Sequence, residues 1–197
     1  MHKFSKWIFD LDGTLTKTQH NFDHIRNELD IPDGELILEY ADSLPSSEAN
    51  ILLARLSQLE KETIADAQIA EGAMPLLELL QSRSNNLGIL TRNTQENAIQ
   101  TLEKIGLKRF FSDDVIVGRE QRPPKPAADG VLYLLNKWKT NQDDSVIVGD
   151  FHLDLKTGRN AGVMTILVGE LDQKDCNNNL IDFSVHSLFE IIRLMRC

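Results

Sequence analysis

Cysteine, positive charge and long apolar runs are all scarce in this 197-residue chain, and each shortage removes a class of protein. The only two cysteines, Cys176 and Cys197, lack metal-ligand spacing, so a disulfide framework is unsupported and a reducing, cytoplasmic setting is expected. Lysine and arginine number 21 against 30 acidic residues, and the formal net charge of -9 opposes a nucleic-acid backbone, so no nucleic-acid partner is expected. No uninterrupted apolar segment is long enough to cross a bilayer, which argues against a membrane partner. The first residues carry Lys3 and Lys6 but meet Asp10 and Asp12 before any sustained apolar stretch, so no signal peptide is expected. The five histidines show no close metal-ligand pairing: His20 and His24 share a helical spacing without a carboxylate constellation and read as surface residues. Internal repeats and low-complexity tracts are absent, although Asn177 opens a short polar run.

What is present is ordinary globular material, 41% hydrophobic and 26% charged, in a length that suits one main domain with an insertion. Short apolar runs at Trp7–Phe9, Leu87–Leu90, Val115–Val117, Val146–Val148 and Met164–Val168, each bounded by turn or polar residues, predict five buried strands. Helical patterns lie between them: Leu76 to Leu80 after Pro75, Ala98 to Ile105 before Gly106, and Val131 to Leu135 after Pro126. Asn93 with Glu96 is a candidate cap for the second helix, and Ser187 with Glu190 resembles a capping box before a last helix, Leu188 to Met195. Alternating strand and helix implies an α/β fold, with a parallel sheet covered on both faces by right-handed crossovers. Residues 16–72 break the alternation, with helical patterns, a long helix from about Ser46 to Glu71 and no convincing strand. They read as an inserted small α-helical cap of three helices, hinged near Thr16 and Gly72, on a core of residues 1–15 and 73–197.

In a doubly wound sheet, ligands bind beyond the carboxyl ends of the strands. Those exits hold Asp10 and Asp12, then Thr91, Arg92 and Asn93, then Lys125, and finally Asp150 and Asp154. Carboxylates, a hydroxyl and an ammonium at one edge suit phosphoryl transfer, in which the protein positions an in-line nucleophile and neutralises the equatorial oxygens. Asp10 is the candidate nucleophile, forming an aspartyl-phosphate that divides one hard step into two. Asp12, two residues on, is the candidate acid and base. Asp10, Asp150 and the Asp12 backbone carbonyl offer Mg²⁺ the hard oxygens it prefers, with Asp154 binding directly or through water.

Taken together, Phe9-Asp-Leu-Asp-Gly-Thr-Leu15, Thr91, Lys125-Pro126 and Gly149-Asp150 with Asp154 resemble the haloacid dehalogenase-like hydrolases, in that family's order. The resemblance runs from Phe9 to about Val168, and a helical insertion directly after the first motif is similar to the phosphoglycolate-phosphatase-type branch. It implies a Rossmann-like three-layer core, a mobile cap and Mg²⁺-dependent hydrolysis of a small phosphorylated metabolite. It also implies Asp10 as nucleophile, Asp12 as acid and base, Thr91 and Lys125 as phosphoryl-oxygen contacts, and Asp150 as metal ligand. Many relatives place Asn directly after the motif-two hydroxyl residue, whereas here Arg92 intervenes before Asn93.

Each residue has a plainer reading. Asp10-Leu-Asp-Gly-Thr is also an acidic turn, Thr91 a helix-approach residue, Lys125 a solvated lysine and Asp154 a helix cap. Arg26, Arg92 and Asn93 are candidates for holding the substrate's distal group, although Arg26 on a helix more often meets only water, and His152 is expected to be exposed. Two rival functions share these residues, a phosphomutase on a sugar phosphate and a non-catalytic phospho-ligand binding module. A dehalogenase, which needs neither Mg²⁺ nor the acid at Asp12, is disfavoured by the presence of Asp12 and Asp150.

Overall fold

The computed structural model describes residues 4–17, 22–171 and 178–195. Cys176, Cys197, Asn177 and His20 lie outside the described residues. Six strands form one wholly parallel sheet: β1 (Lys6–Phe9), β2 (Asn86–Leu90), β3 (Ile116–Val117), β4 (Ser145–Gly149), β5 (Met164–Val168) and β6 (Phe183–Val185), in the order β3-β2-β1-β4-β5-β6. Eight α-helices accompany them among the described residues: α1 (Phe22–Glu28), α2 (Ile37–Asp42), α3 (Ser46–Thr63), α4 (Ala73–Ser82), α5 (Gln95–Lys104), α6 (Asp129–Lys137), α7 (His152–Ala161) and α8 (Leu188–Leu194). This is the α/β, Rossmann-like arrangement that the alternating pattern predicts. No described helix is long and apolar enough to cross a membrane.

Central position explains the near-continuous apolar reading of β1. Trp7, Ile8 and Phe9 are fully buried, with Phe9 paired to Ile89 on one side and Val148 on the other. The chain leaves β1 towards β2 and β3 in one direction and resumes at β4 in the other, so the order reverses between β1 and β4. A crevice opens at such a reversal, beyond the strand ends.

Four details depart from the sequence expectations. β6 was not among the five anticipated strands; with only Val185 buried, its three residues carry no apolar run to announce it. Val115 belongs to a 3₁₀ turn rather than to β3. The cap of α5 is Thr94, whose hydroxyl accepts from the Asn97 N–H at 3.3 Å, while Asn93 instead accepts from the Thr94 N–H. At α8 the Ser187 side chain makes no capping bond, and Glu190 accepts from the His186 N–H at 3.1 Å.

Between β1 and α4 the described residues hold three α-helices, but the long one stops at Thr63 instead of running to Glu71. After a 3₁₀ turn at Ile64–Asp66, the chain must extend to pair with the outgoing strand. Lys17 N–H donates to the Gln68 carbonyl and Ala70 N–H to the Leu15 carbonyl, both at 2.9 Å, so the two crossings run side by side as an antiparallel bridge. Ile25, Leu38, Leu56 and Leu59 form an apolar cluster of their own, separate from the main core.

Helix α7 approaches the sheet closely through Gly158. A Cβ there would fall 2.4 Å from Thr165 Cγ2 and 2.7 Å from Ile147 Cγ2, both on stiff β-branched side chains. Gly158→Ala would gain about 1 kcal/mol of helix propensity, but overpacking a fixed core typically costs about 1–3 kcal/mol. Net destabilisation is therefore expected, read as a lower urea midpoint at unchanged slope. An unchanged or raised midpoint would show that the helix does not sit this close.

Candidate active site

Asp10 begins the turn that follows β1, its N–H donating to the Val148 carbonyl at 2.9 Å, so β4 fixes the backbone from which the carboxyl projects. Lys125 arrives on the loop after β3, and its Nζ lies 2.5 Å from Asp10 Oδ1 and 2.5 Å from Asp154 Oδ1. All three side chains are almost wholly buried. Asp154 meets its capping reading and also stands in the cluster. Its Oδ2 accepts from the Phe151 N–H at 3.1 Å and caps α7, while Oδ1 takes the lysine. Thr14 Oγ1 donates to Asp150 Oδ1 at 2.8 Å and so turns the third carboxyl. Gly13 permits this approach: its φ of +97° suits glycine, and a Cβ would lie 2.3 Å from Asp150 Oδ2. One carboxylate oxygen from each of Asp10, Asp150 and Asp154 lies within 4.8 Å of the others.

Burial is the first cause of the unusual acidities here. It raises Asp10 from 3.8 to about 7, with Lys125 pulling down against it and Asp150 and Asp12 pushing further up. Asp150 is raised to about 6 by burial and by Asp154, and Asp154 to about 6 by burial, which outweighs the Lys125 ammonium. The Lys125 ammonium is held well above its usual range: burial alone would lower it, but Asp10 and Asp154 more than compensate. One ammonium faces three carboxyls. The set has the oxygen donors and the excess negative charge that a hard divalent cation would satisfy.

Thr91 completes the arrangement on the β2 side. It is buried, its N–H donates to the Val117 carbonyl at 3.0 Å, and its hydroxyl accepts from the Asn93 N–H at 3.0 Å. These side chains come from the exits of four different strands in a fixed order, and the chain matches the profile of haloacid dehalogenase-like hydrolases over residues 7–168. The chain belongs to that family.

An uncharacterized hydrolase of Saccharomyces cerevisiae is 32% identical, covering 96% of this chain and 89% of its own length. A phosphoglycolate phosphatase of Agrobacterium fabrum is 28% identical over 81% of this chain and 78% of its own. Among solved structures, a haloacid dehalogenase-like hydrolase of Streptococcus pneumoniae superposes with a TM-score of 0.76 at 25% identity, covering 98% of this chain and 99% of that one. Within the haloacid dehalogenase-like hydrolases the chain falls in the phosphoglycolate-phosphatase-type branch.

The remaining sequence candidates are distributed around this centre. Asp12 lies in the turn after β1 and lines a small crevice with Thr16, Thr63, Ile64 and Thr101, between the first motif and the inserted segment. Asn93 is buried, and its side-chain oxygen serves the loop, accepting from the Thr94 N–H at 2.8 Å and from Asn97 Nδ2 at 3.2 Å. Arg92 pairs with Glu39 of α2, Nη1 to Oε1 at 2.9 Å and Nη2 to Oε2 at 2.5 Å, and also donates to the Lys125 carbonyl. Arg26 sits in the last turn of α1. His152 is buried rather than exposed, its ring centroid 4.1 Å from that of Phe151, while His24 is exposed as expected.

Three side chains escaped the sequence reading. Arg119 Nη1 reaches both oxygens of Glu60 on α3 at 2.8 Å and donates to the Arg92 carbonyl at 2.9 Å. Arg119 stands two residues beyond β3, so the strand-exit rule applied to β3 would have found it. Glu39 and Glu60 carry no such marker, since nothing in a helix's spacing says which carboxylate faces another segment.

Raised proton affinities make a signed prediction for the metal-free protein. Asp10, Asp150 and Asp154 bind protons more tightly folded than unfolded, so their contribution favours folding at low pH and is lost as pH rises from about 4 through about 7. With chelator present, the thermal midpoint is expected to fall between pH 5 and pH 8, with a shallower fall in Asp154→Asn. Added Mg²⁺ should raise the midpoint more at pH 8 than at pH 5, because it competes with those protons. A chelated midpoint that climbs over this interval would contradict the assignment.

Proposed function

We propose that the chain is a Mg²⁺-dependent phosphatase that hydrolyses a small phosphate monoester through an aspartyl-phosphate on Asp10. The observation that carries this reading is the Lys125 ammonium shared between Asp10 and Asp154 at 2.5 Å each, with a third carboxylate close by. Lysine bound to Asp10 keeps one of its oxygens negative and lies where a transferring phosphoryl group would need a positive neighbour. Family membership and the phosphoglycolate phosphatase relative support the same chemistry.

In the first step an Asp10 carboxylate oxygen attacks phosphorus in line, and the bond from phosphorus to the leaving oxygen breaks as Asp12 delivers its proton to that oxygen. In the second step Asp12 takes a proton from water, whose oxygen attacks phosphorus and expels the Asp10 carboxylate, yielding inorganic phosphate. Thr91 and Lys125 contact the equatorial oxygens throughout. Asp10, Asp150 and the Asp12 backbone carbonyl, with Asp154 directly or through water, would hold the Mg²⁺, which supplies positive charge against the phosphoryl oxygens.

Residues 16–72 serve in this reading as a cap over the site, entering and leaving by the paired crossings at Leu15–Lys17 and Gln68–Ala70. Closure would exclude bulk water and leave the leaving group to be selected by the inserted helices. The substrate is accordingly a small phosphorylated metabolite. Phosphoglycolate heads the candidates because a relative is named for it, and kcat/KM across a panel of phosphometabolites decides among them.

Purified protein is expected to hydrolyse p-nitrophenyl phosphate with Mg²⁺ and to stop when the metal is chelated. Asp10→Asn should lose about a thousandfold or more in kcat while retaining its circular dichroism spectrum. Asp12→Ala should cost about 10²- to 10⁴-fold on an alkyl phosphate but much less on p-nitrophenyl phosphate, whose phenolate departs without a proton. An active Asp10→Asn protein, or equal Asp12→Ala losses on both substrates, would refute the respective role.

A further inference from the structure

We infer that Arg92 is a positioning residue for Lys125, and that Glu39 on the inserted helix α2 sets it in place. The inference rests on the phosphatase reading for its kinetic consequence but not for its geometry.

The guanidinium of Arg92 bridges two segments that do not otherwise need to know of each other. One edge donates to both oxygens of Glu39, at 2.9 and 2.5 Å, in the fork geometry that arginine alone offers. The same Nη1 donates to the backbone carbonyl of Lys125. Arg92 itself immediately follows Thr91, so it stands between two of the side chains that would grip the phosphoryl group. Its own backbone is held in turn: Arg119 donates to the Arg92 carbonyl at 2.9 Å and binds Glu60 of α3.

Two carboxylates of the inserted helices therefore each reach a core arginine, and each arginine holds a backbone carbonyl of a site loop. Glu60 with Arg119 is the buried pair, and Glu39 with Arg92 is partly exposed. Burial alone would raise the Glu39 carboxyl, but the Arg92 hydrogen bond and charge hold it below its usual range. Pro123, Pro124 and Pro126 supply no N–H, and around Lys125 the loop is held by the Ala127 N–H donating to the Pro124 carbonyl at 3.0 Å and by Asn160 Nδ2 donating to the Pro126 carbonyl at 2.9 Å. The Arg92 donor adds a bond on the Lys125 carbonyl itself, and so holds the backbone from which the ammonium reaches Asp10 and Asp154. When α2 swings away, Arg92 loses the carboxylate that fixes its plane, and Lys125 loses the constraint; seating of the insertion and readiness of the lysine become one event.

Two measurements test this. Amide hydrogen exchange compares the unaltered chain with Glu39→Gln, a substitution at a part-exposed position. Exchange is expected to quicken about two- to fivefold, as for loss of a part-exposed ion pair, both in α2 and at the amides of Lys125 and Ala127, which Glu39 does not touch. Kinetics with p-nitrophenyl phosphate then separate positioning from substrate binding. Arg92→Ala should lower kcat by about tenfold or more through misplacement of Lys125, with KM changed less than kcat and the thermal midpoint close to that of the unaltered chain. Arg92→Lys, which keeps a donor for the carbonyl, should recover part of the loss. Exchange changes confined to α2, or a raised KM at unchanged kcat, would overturn the inference; the second outcome would make Arg92 a substrate contact. An unaltered chain that hydrolyses no phosphate ester would fall on the phosphatase reading instead, and exchange at Lys125 would still decide the coupling.

Discussion

A buried lysine between two buried aspartates is the constraint around which this molecule is arranged. Desolvating three charged groups is expensive, and removing one partner from such a set typically costs about 3–5 kcal/mol because the others are stranded. A fold that keeps Asp10, Lys125 and Asp154 together out of water has therefore given up stability for placement. The surrounding structure meets that demand with rigid supports. Asp10 is anchored by the β4 backbone, Asp154 by the first turn of α7, and Asp150 by the Thr14 hydroxyl. Even so, lysine balances only part of the charge, and burial leaves three carboxyls with raised proton affinity. Their unmet demand for positive charge is what turns a structural cluster into a binding site.

Most of the core was legible because its signals are local. β1, β2, β4 and β5 are short apolar runs closed by turns, and a central parallel strand has no polar face to blur that pattern. The site was legible for a related reason: a sheet whose order reverses at β1 and β4 gathers whatever follows its strands, so position along the chain predicts position in space. β6 was missed because an edge strand with one buried residue borrows its stability from β5 and from α8 rather than advertising it in sequence. The shortening of α3 was missed because helix propensity continues past Thr63, while the antiparallel crossing at Ile69 overrides it from a distance. Asp154 shows the limit from the other side. Its capping and metal-ligand readings stood as alternatives, yet a carboxylate has two oxygens: one accepts from the Phe151 N–H and the other takes Lys125.

The arginines mark where sequence reasoning ends. Arg92 was a candidate substrate contact because it stands at a strand exit, and in the structure its donors go to Glu39 and to the Lys125 carbonyl. Arg119, also past a strand end, is spent on Glu60 and the Arg92 carbonyl. Both assignments depend on which helix face of the insertion meets the core, and that is a tertiary fact with no spacing to encode it. Asn97 on α5 adds a third link, donating to the Ser57 carbonyl on α3 at 3.0 Å. These three polar links tie α2 and α3 to the core.

The overall charge sharpens the functional reading. At -9 the chain repels anions at a distance, but at physiological ionic strength that field decays over roughly 8 Å. An anionic polymer would have to lie along many such repulsive surfaces at once, whereas a small phosphorylated molecule crosses them only on its way in. Under the proposed function, the groups that await it are the Lys125 ammonium, the Thr91 hydroxyl and the carboxylate oxygens that would hold a cation. Affinity under that reading is generated locally, by buried groups whose charges solvent screens little. Such a site needs no steering field, only a substrate small enough to reach it, and that is the physical reason to favour a metabolite over a polymer.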